Sequence, residues 1–341
     1  MSHIPHPSSL DGAPYSAPWW LPGGHAQTLY AALAAPRPRV AYRRERWDTL
    51  DGDFIDVDWT ENQDQGSRIK DSAETPLVVL FHGLEGSSRS HYALALMAAV
   101  RDRGWRGVVV HFRGCGGEVN RLPRAYHSGD SAEVDWVLRR LKRGNPLLLA
   151  VGVSLGGNAL LKWLGETGGS AREVVERAAS VSAPVDLAAA GNALDRGFNL
   201  VYTRNFLRSM KEKSVAKLAR FPGLIDAARL RAAYTLREFD DTVTAPLHGF
   251  AGVDDYWSRA SAKPWLRGIA VPVLMVNARD DPFLPCGALP GRNEVALSVR
   301  LEQPENGGHV GFVSGRFPGN LDWLPQRVLD FLGARQDRVT K

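Results

Sequence analysis

The sequence predicts an α/β protein built on a mostly parallel, doubly wound sheet that a helical insertion interrupts once. Three observations predict it. Short continuous apolar runs fall at residues 77–81, 108–112 and 147–153, as expected of strands buried on both faces in a parallel sheet. A helical pattern follows each run after a short connection, at 90–103, 130–142 and 156–165, which is the rhythm of βαβ units. That rhythm stops between Pro184 and about Pro264, where the chain reads as helical, and then resumes.

Taken in order, residues 1–18 are rich in Pro, Ser and His and read as a loose or draped tail. Residues 19–29, WWLPGGHAQTL, form an aromatic and glycine-rich segment of unusual composition. Strands are expected at 39–47 and 53–60 around the Asp51-Gly52 turn signal, and a polar surface loop at 61–74. After the three strand and helix pairs, a fourth short run lies at 178–182. Helical patterns at 187–194, 201–218 and 224–239 fill the insertion. Strands at 273–276 and 295–301 and an amphipathic helix at 321–332 close the chain. The expected organisation is an N-terminal segment (1–36) packing on or trailing from the core, a core from 37–184 and 266–341, and a helical cap from 185–265. Such a cap would sit over the carboxyl ends of the strands, where α/β proteins bind ligands.

Composition narrows the function classes. With 341 residues, 44% of them hydrophobic and 23% charged, the chain can build a large core and is not of disordered composition. A net charge of +5, from 42 basic and 37 acidic residues spread along the chain, is too weak to argue for nucleic acid. Cys115 and Cys286 make no disulfide framework and no CxxC, which fits a reducing compartment. There is no secretory apolar region, and no run approaches the roughly 18 apolar residues of a membrane span, so a cytoplasmic protein without a stable membrane anchor is expected. The histidines show no metal-ligand spacing such as HExxH, and no cofactor or metal is expected.

One motif carries chemistry. Gly152-Val153-Ser154-Leu155-Gly156 matches G-x-S-x-G, entered by an apolar strand and left by a helical pattern. The spacing places a serine on a sharp strand-to-helix turn, where only small residues fit two positions before and after it. That context points to an α/β-hydrolase fold with Ser154 as nucleophile. A hydroxyl needs a base, and the base needs an orienting acid. In this fold they follow in the order Ser, acid, His. Of the two later histidines, His248 lies inside the insertion, whereas His309 lies in the loop GGHVG after the last strand. The acid belongs after strand 273–276, where Asp280 and Asp281 compete; resemblance to the α/β-hydrolase pattern, which places its acid four residues before a proline, here Pro285, favours Asp281. The oxyanion donors are expected to be the backbone N–H groups of Leu155 and of Leu84, the latter in the loop His82-Gly83-Leu84-Glu85-Gly86. His82 is assigned no catalytic role.

On these segments, together with GHAQT (24–28), FRGCGG (112–117), the GVSLGGN elbow and NARDDP (277–282), the chain resembles the AB hydrolase 4 family. That family comprises bacterial predicted hydrolases and esterases, related to the mammalian α/β-hydrolase-domain proteins 1, 2 and 3. The resemblance implies a carboxylic-ester hydrolase with its triad on Ser154, Asp281 and His309, acting on short-chain or acylglycerol-like esters. The mammalian relatives carry an N-terminal membrane anchor that this sequence does not show. Acyl transfer on the same triad and a non-hydrolytic ligand-binding protein are the alternatives. Oligomeric state is left open.

Two further features lie near the expected site. Arg113-Gly114-Cys115-Gly116-Gly117 lacks the Lys-Ser/Thr of a phosphate-binding loop and reads as a strand-end loop near the site, with Cys115 a structural thiol. Basic residues between Tyr202 and Arg231, among them Lys213, Lys217 and Arg220, either attract anionic substrates or a membrane surface, or decorate solvated helix faces.

Overall fold

The computed structural model describes residues 14–61 and 75–334. The expected tail up to residue 13 and the loop from 62 to 74 lie outside the described residues.

Among the described residues eight strands form one sheet: β1 (Tyr42–Asp48), β2 (Phe54–Thr60), β3 (Leu77–Phe81), β4 (Arg106–His111), β5 (Leu148–Val153), β6 (Arg177–Val181), β7 (Val273–Val276) and β8 (Val299–Glu302). Their order is β1-β2-β4-β3-β5-β6-β7-β8. The pairs β1–β2 and β2–β4 are antiparallel and every other pair is parallel. The central strands β3 and β5 are buried at every position. Side chains alternate between two faces along a strand, so Val79 and Ala150 enter one apolar core while Val78 and Leu149 enter the other. This is why these strands read as unbroken apolar runs.

Helices α1 (Gly24–Leu33), α2 (His91–Asp102), α3 (Ser131–Lys142), α4 (Leu155–Thr167) and α11 (Trp323–Gly333) belong with the sheet. The Asp130 carboxylate caps α3 by accepting from the Glu133 amide. Helix α4 is buried almost all round, which explains its apolar composition on every face. Between β6 and β7 the chain forms α5 (Leu187–Leu194), α6 (Leu200–Arg220), α7 (Ala227–Ala232), α8 (Leu236–Phe239), α9 (Ala245–Leu247) and α10 (Val253–Ala260).

Three elements differ from expectation. The single helix expected at 224–239 is two, because Asp226 and Thr235 each cap a new start, Thr235 in a reciprocal capping box with Glu238. The last strand starts at Val299 and not at 295; residues 292–294 form a short helical turn and Leu297 is exposed. Residues 24–33 form a helix that the usual periodicity does not announce. Its buried side holds Gln27 and Thr28, and Leu33 faces outward.

Candidate active site

The turn after β5 puts Ser154 at φ 53°, ψ −122°, a left-handed conformation that a non-glycine residue adopts only when its surroundings impose it. Two main-chain bonds impose it here. The Ser154 amide donates to Val181 O at 2.8 Å, and the Gly156 amide donates to His82 O at 3.1 Å. The approach is so close that a Cβ on Gly156 would stand 2.4 Å from Phe81 O, and one on Gly152 would stand 2.5 Å from Gly156 O.

The structure brings together the residues expected from sequence. His309 Nε2 lies 2.9 Å from Ser154 Oγ, and His309 Nδ1 lies 2.9 Å from Asp281 Oδ2. Of the two competing acids, Asp281 faces the imidazole. The Asp280 carboxylate turns away and accepts the Gly308 amide at 2.8 Å. Asp281 Oδ1 also accepts the Phe283 amide at 2.8 Å, and the Phe283 ring stacks on His309 with centroids 4.0 Å apart. Burial, reinforced by the adjacent Asp281 charge, raises the Asp280 pKa above the ordinary carboxylate value.

The amides expected to hold an oxyanion are unpaired. On the β3 side, Gly83 N donates to Tyr92 Oη and Glu85 N to Tyr126 Oη, both at 2.9 Å, and Gly86 N to Gly83 O. On the α4 side, the Ser154 and Gly156 amides are taken as described. Leu84 N and Leu155 N have no hydrogen-bond partner among the described residues. Both residues line the same cavity as Ser154 and His309. Leu155 N also stands at the positive end of α4, which favours a negative charge there. His82 is buried and neutral, its pKa pushed down to about 3 by desolvation, and its Nε2 accepts the Phe112 amide. It packs this loop.

Several contacts that fix His309 were not read from the sequence. The Thr28 hydroxyl accepts the His309 amide at 2.8 Å while donating to Gly24 O. Gln27 Oε1 accepts the Val313 amide at 2.9 Å. Val310 follows His309 at φ 55°, strained for a β-branched residue, and is gripped from two sides. Its amide donates to Ser182 Oγ, and its carbonyl accepts from His91 Nε2, whose ring burial keeps neutral with a pKa near 4. The GHAQT segment was the available signal for Gln27 and Thr28; Ser182, His91, Tyr92 and Tyr126 lie in segments with no distinguishing pattern.

The cavity has a volume of about 140 Å³ and extends under the helices between β6 and β7. Leu187, Leu194, Phe206, Met210, Phe239 and Val243 give it largely apolar walls. Two basic residues of α6 that border it, Lys213 and Lys217, turn inward, whereas Arg204, Arg208 and Arg220 are exposed. Lys213 pairs with Glu85 at 2.9 Å. Lys217 Nζ donates to the carbonyls of Leu122, Pro123 and Arg124, and Arg220 to those of Asn120 and Arg121. Lys213 thus ties α6 to the loop after β3, Lys217 and Arg220 clamp it onto the loop after β4, and burial lowers the Lys217 pKa to about 8. Arg113 of that loop is buried in ion pairs with Asp51, Asp53 and Glu133. Burial raises the Cys115 thiol to about 11, so it is protonated near neutral pH.

A mostly parallel sheet whose fifth strand turns sharply through a serine into a helix, with a histidine and an acid in reach, defines an α/β hydrolase. The chain belongs to that family: the alpha/beta hydrolase fold family matches residues 76–315. The resemblance to the AB hydrolase 4 group is also reflected in its relatives. The chain is 41% identical over 312 residues to the proposed esterase YheT of Escherichia coli (strain K12), covering 90% of this chain and 89% of that one. It is 31% identical over 319 residues to the phospholipase ABHD3 of Homo sapiens, covering 92% of this chain and 77% of that one. Among solved structures, the esterase EaEST from Exiguobacterium antarcticum superposes with a TM-score of 0.53 at 17% identity, covering 85% of this chain and 99% of that one, a likeness of fold. No helix among the described residues is long and apolar enough to cross a membrane.

Proposed function

We propose that the protein hydrolyses carboxylic esters through an acyl-enzyme on Ser154, with His309 as base and Asp281 as its orienting acid. The observation that carries this reading is the continuous chain of contacts from Ser154 Oγ through His309 to Asp281, each at 2.9 Å. Ser154 Oγ attacks the ester carbonyl as His309 Nε2 takes its proton. The tetrahedral oxyanion is held by the amides of Leu84 and Leu155, donors fixed before the charge develops. His309 then protonates the leaving alkoxide, and Asp281 holds the proton on Nδ1 and stabilises the imidazolium. Water, deprotonated by His309, attacks the acyl-enzyme, and collapse of the second oxyanion returns free acid and Ser154.

The apolar cavity is assigned to the acyl group. The relatives named as esterase and phospholipase support esters as the substrate class.

A fluorophosphonate tests the assignment directly. It is expected to label Ser154, as mapped by peptide mass. Ser154→Ala is expected to abolish labelling and lower kcat by roughly 10⁴–10⁶ with an unchanged circular dichroism spectrum. Ester turnover retained in that variant would remove Ser154 from the mechanism.

A further inference from the structure

We propose that the face formed by α1 and the Phe317 loop docks the protein onto an anionic lipid surface. Helix α1 turns polar as well as apolar side chains inward: Gln27 and Thr28 hold the His309 loop, beside Ala31 in an apolar cluster. Ala26, Tyr30 and Leu33 follow in a stripe at helical spacing, Ala26 and Tyr30 half-buried against that cluster and Leu33 77% exposed.

Aromatic residues extend this stripe on both flanks. On one side the Trp20 ring meets Tyr30 and Phe317, with centroids 5.1 and 5.4 Å apart. Phe317 is 73% exposed, and Trp19 beside Trp20 is 92% exposed. On the other side His25 meets the ring of Phe198, which is 53% exposed. Monomeric proteins rarely leave so many large apolar groups together in water, and an apolar face of this kind marks a contact surface.

Charge identifies what it contacts. Residues 14–41, 196–211 and 306–321 contain no Asp or Glu, with exposed Glu212, Glu305 and Asp322 just beyond their ends. They do contain Arg37, Arg39, Arg196, Arg204 and Arg316, all exposed. Trp and Tyr favour the headgroup level of a bilayer, and exposed arginines favour anionic phosphates. A second copy of the chain fits less well, because two-fold pairing brings this basic face against itself. The proposal goes beyond ester hydrolysis and does not depend on Ser154. It also places lipid against α1, the helix whose Thr28 holds His309.

The test uses the full chain carrying Ser154→Ala, so that lipid is not consumed, in flotation with vesicles of phosphatidylglycerol and phosphatidylcholine in equal parts. Binding is expected to the mixed vesicles, weakening with salt, and to be at least about tenfold weaker to phosphatidylcholine alone. Trp19→Ser with Phe317→Ser is expected to lower binding at least about tenfold, and Arg37→Glu with Arg316→Glu about as much. The same substitutions in the active enzyme are expected to leave turnover of a water-soluble short-chain ester unchanged, which separates lost docking from lost folding. Absence of binding to the mixed vesicles, binding indifferent to these substitutions, or a dimer in sedimentation that they convert to monomer would each overturn the proposal.

Discussion

The serine turn and the histidine loop solve the same problem by different means. Each holds a non-glycine residue at positive φ beside the atoms proposed to react: Ser154 at 53° in the turn, Val310 at 55° next to His309. At Ser154 the restraint is main-chain, with amide-to-carbonyl bonds to Val181 and His82 and backbone surfaces too close for any side chain at Gly152 or Gly156. At the histidine loop the restraint is side chains reaching in from afar. Thr28, Gln27, His91 and Ser182 supply it, from 281, 286, 219 and 128 residues away along the chain from the groups they bind. A turn held by backbone packing tolerates almost no change. A loop held by a committee of side chains is expected to lose function in steps.

Gly156→Val is the strongest challenge to the first half of that contrast. Its Cβ would stand 2.4 Å from Phe81 O, a main-chain atom of a central strand that cannot retreat. Stability is expected to fall by about 4 kcal/mol or more, with turnover lost; denaturant unfolding and ester hydrolysis read both. A folded, active variant would mean the turn is not held by that approach. Asp281→Asn comes next in size. It leaves the loop intact but no longer fixes the imidazole tautomer, and kcat is expected to fall roughly 10⁴-fold with unchanged unfolding.

Thr28→Val probes the second half. It keeps the shape of the side chain and removes the oxygen that accepts the His309 amide. A buried amide left unpartnered costs about 1–3 kcal/mol. Displacement of the ring is expected to lower kcat about ten- to a hundredfold with KM little changed. Thr28→Ser is expected to restore most of both. Full activity and stability in the valine variant would show that the histidine loop supports itself.

The same contrast explains what was legible in the sequence. The turn is contiguous, and its strand, its glycines and its buried helix announce themselves within about twenty residues, so Ser154 and the sheet rhythm could be read directly. The order of acid and histidine could also be read, because it follows from topology. The choice of Asp281 over Asp280 rested on its distance from Pro285; the structure adds the geometric reason that only one of two adjacent carboxylates can face the ring. The grip on His309 was not legible, because it depends on contacts across the whole chain. Helix α1 hid for a related reason: Gln27 and Thr28 are buried on it because they bind a loop, which interrupts the apolar periodicity. The role of Lys217 is not legible because a lysine reads as a surface residue, yet it finds three carbonyls under the helix, whereas Arg204, Arg208 and Arg220 of the same helix are exposed.

Asp280 gives the smallest and finest test, since it belongs to the histidine loop without touching the ring. Its Oδ1 accepts the Gly308 amide, while its buried Oδ2 has no partner among the described residues. Its folded pKa lies above the ordinary carboxylate value of 3.8, chiefly through burial. Between that value and the raised folded one, the native state therefore holds more protons than the unfolded state. Stability from this group is present in full below about pH 3.8 and is lost as pH rises through the folded pKa. Asp280→Asn keeps an oxygen for the Gly308 amide and cannot ionise. The stability of the wild type relative to this variant is expected to decline across that window, as read from denaturant midpoints at a series of pH values. Turnover is expected to stay within about tenfold of wild type, because the contact with Gly308 survives. Parallel pH curves for the two proteins would mean that Asp280 ionises freely and bears no strain. A loss of turnover as large as that of Asp281→Asn would mean that the two carboxylates work as one unit, and the line between the group that orients the ring and the group that holds its loop would have to be redrawn.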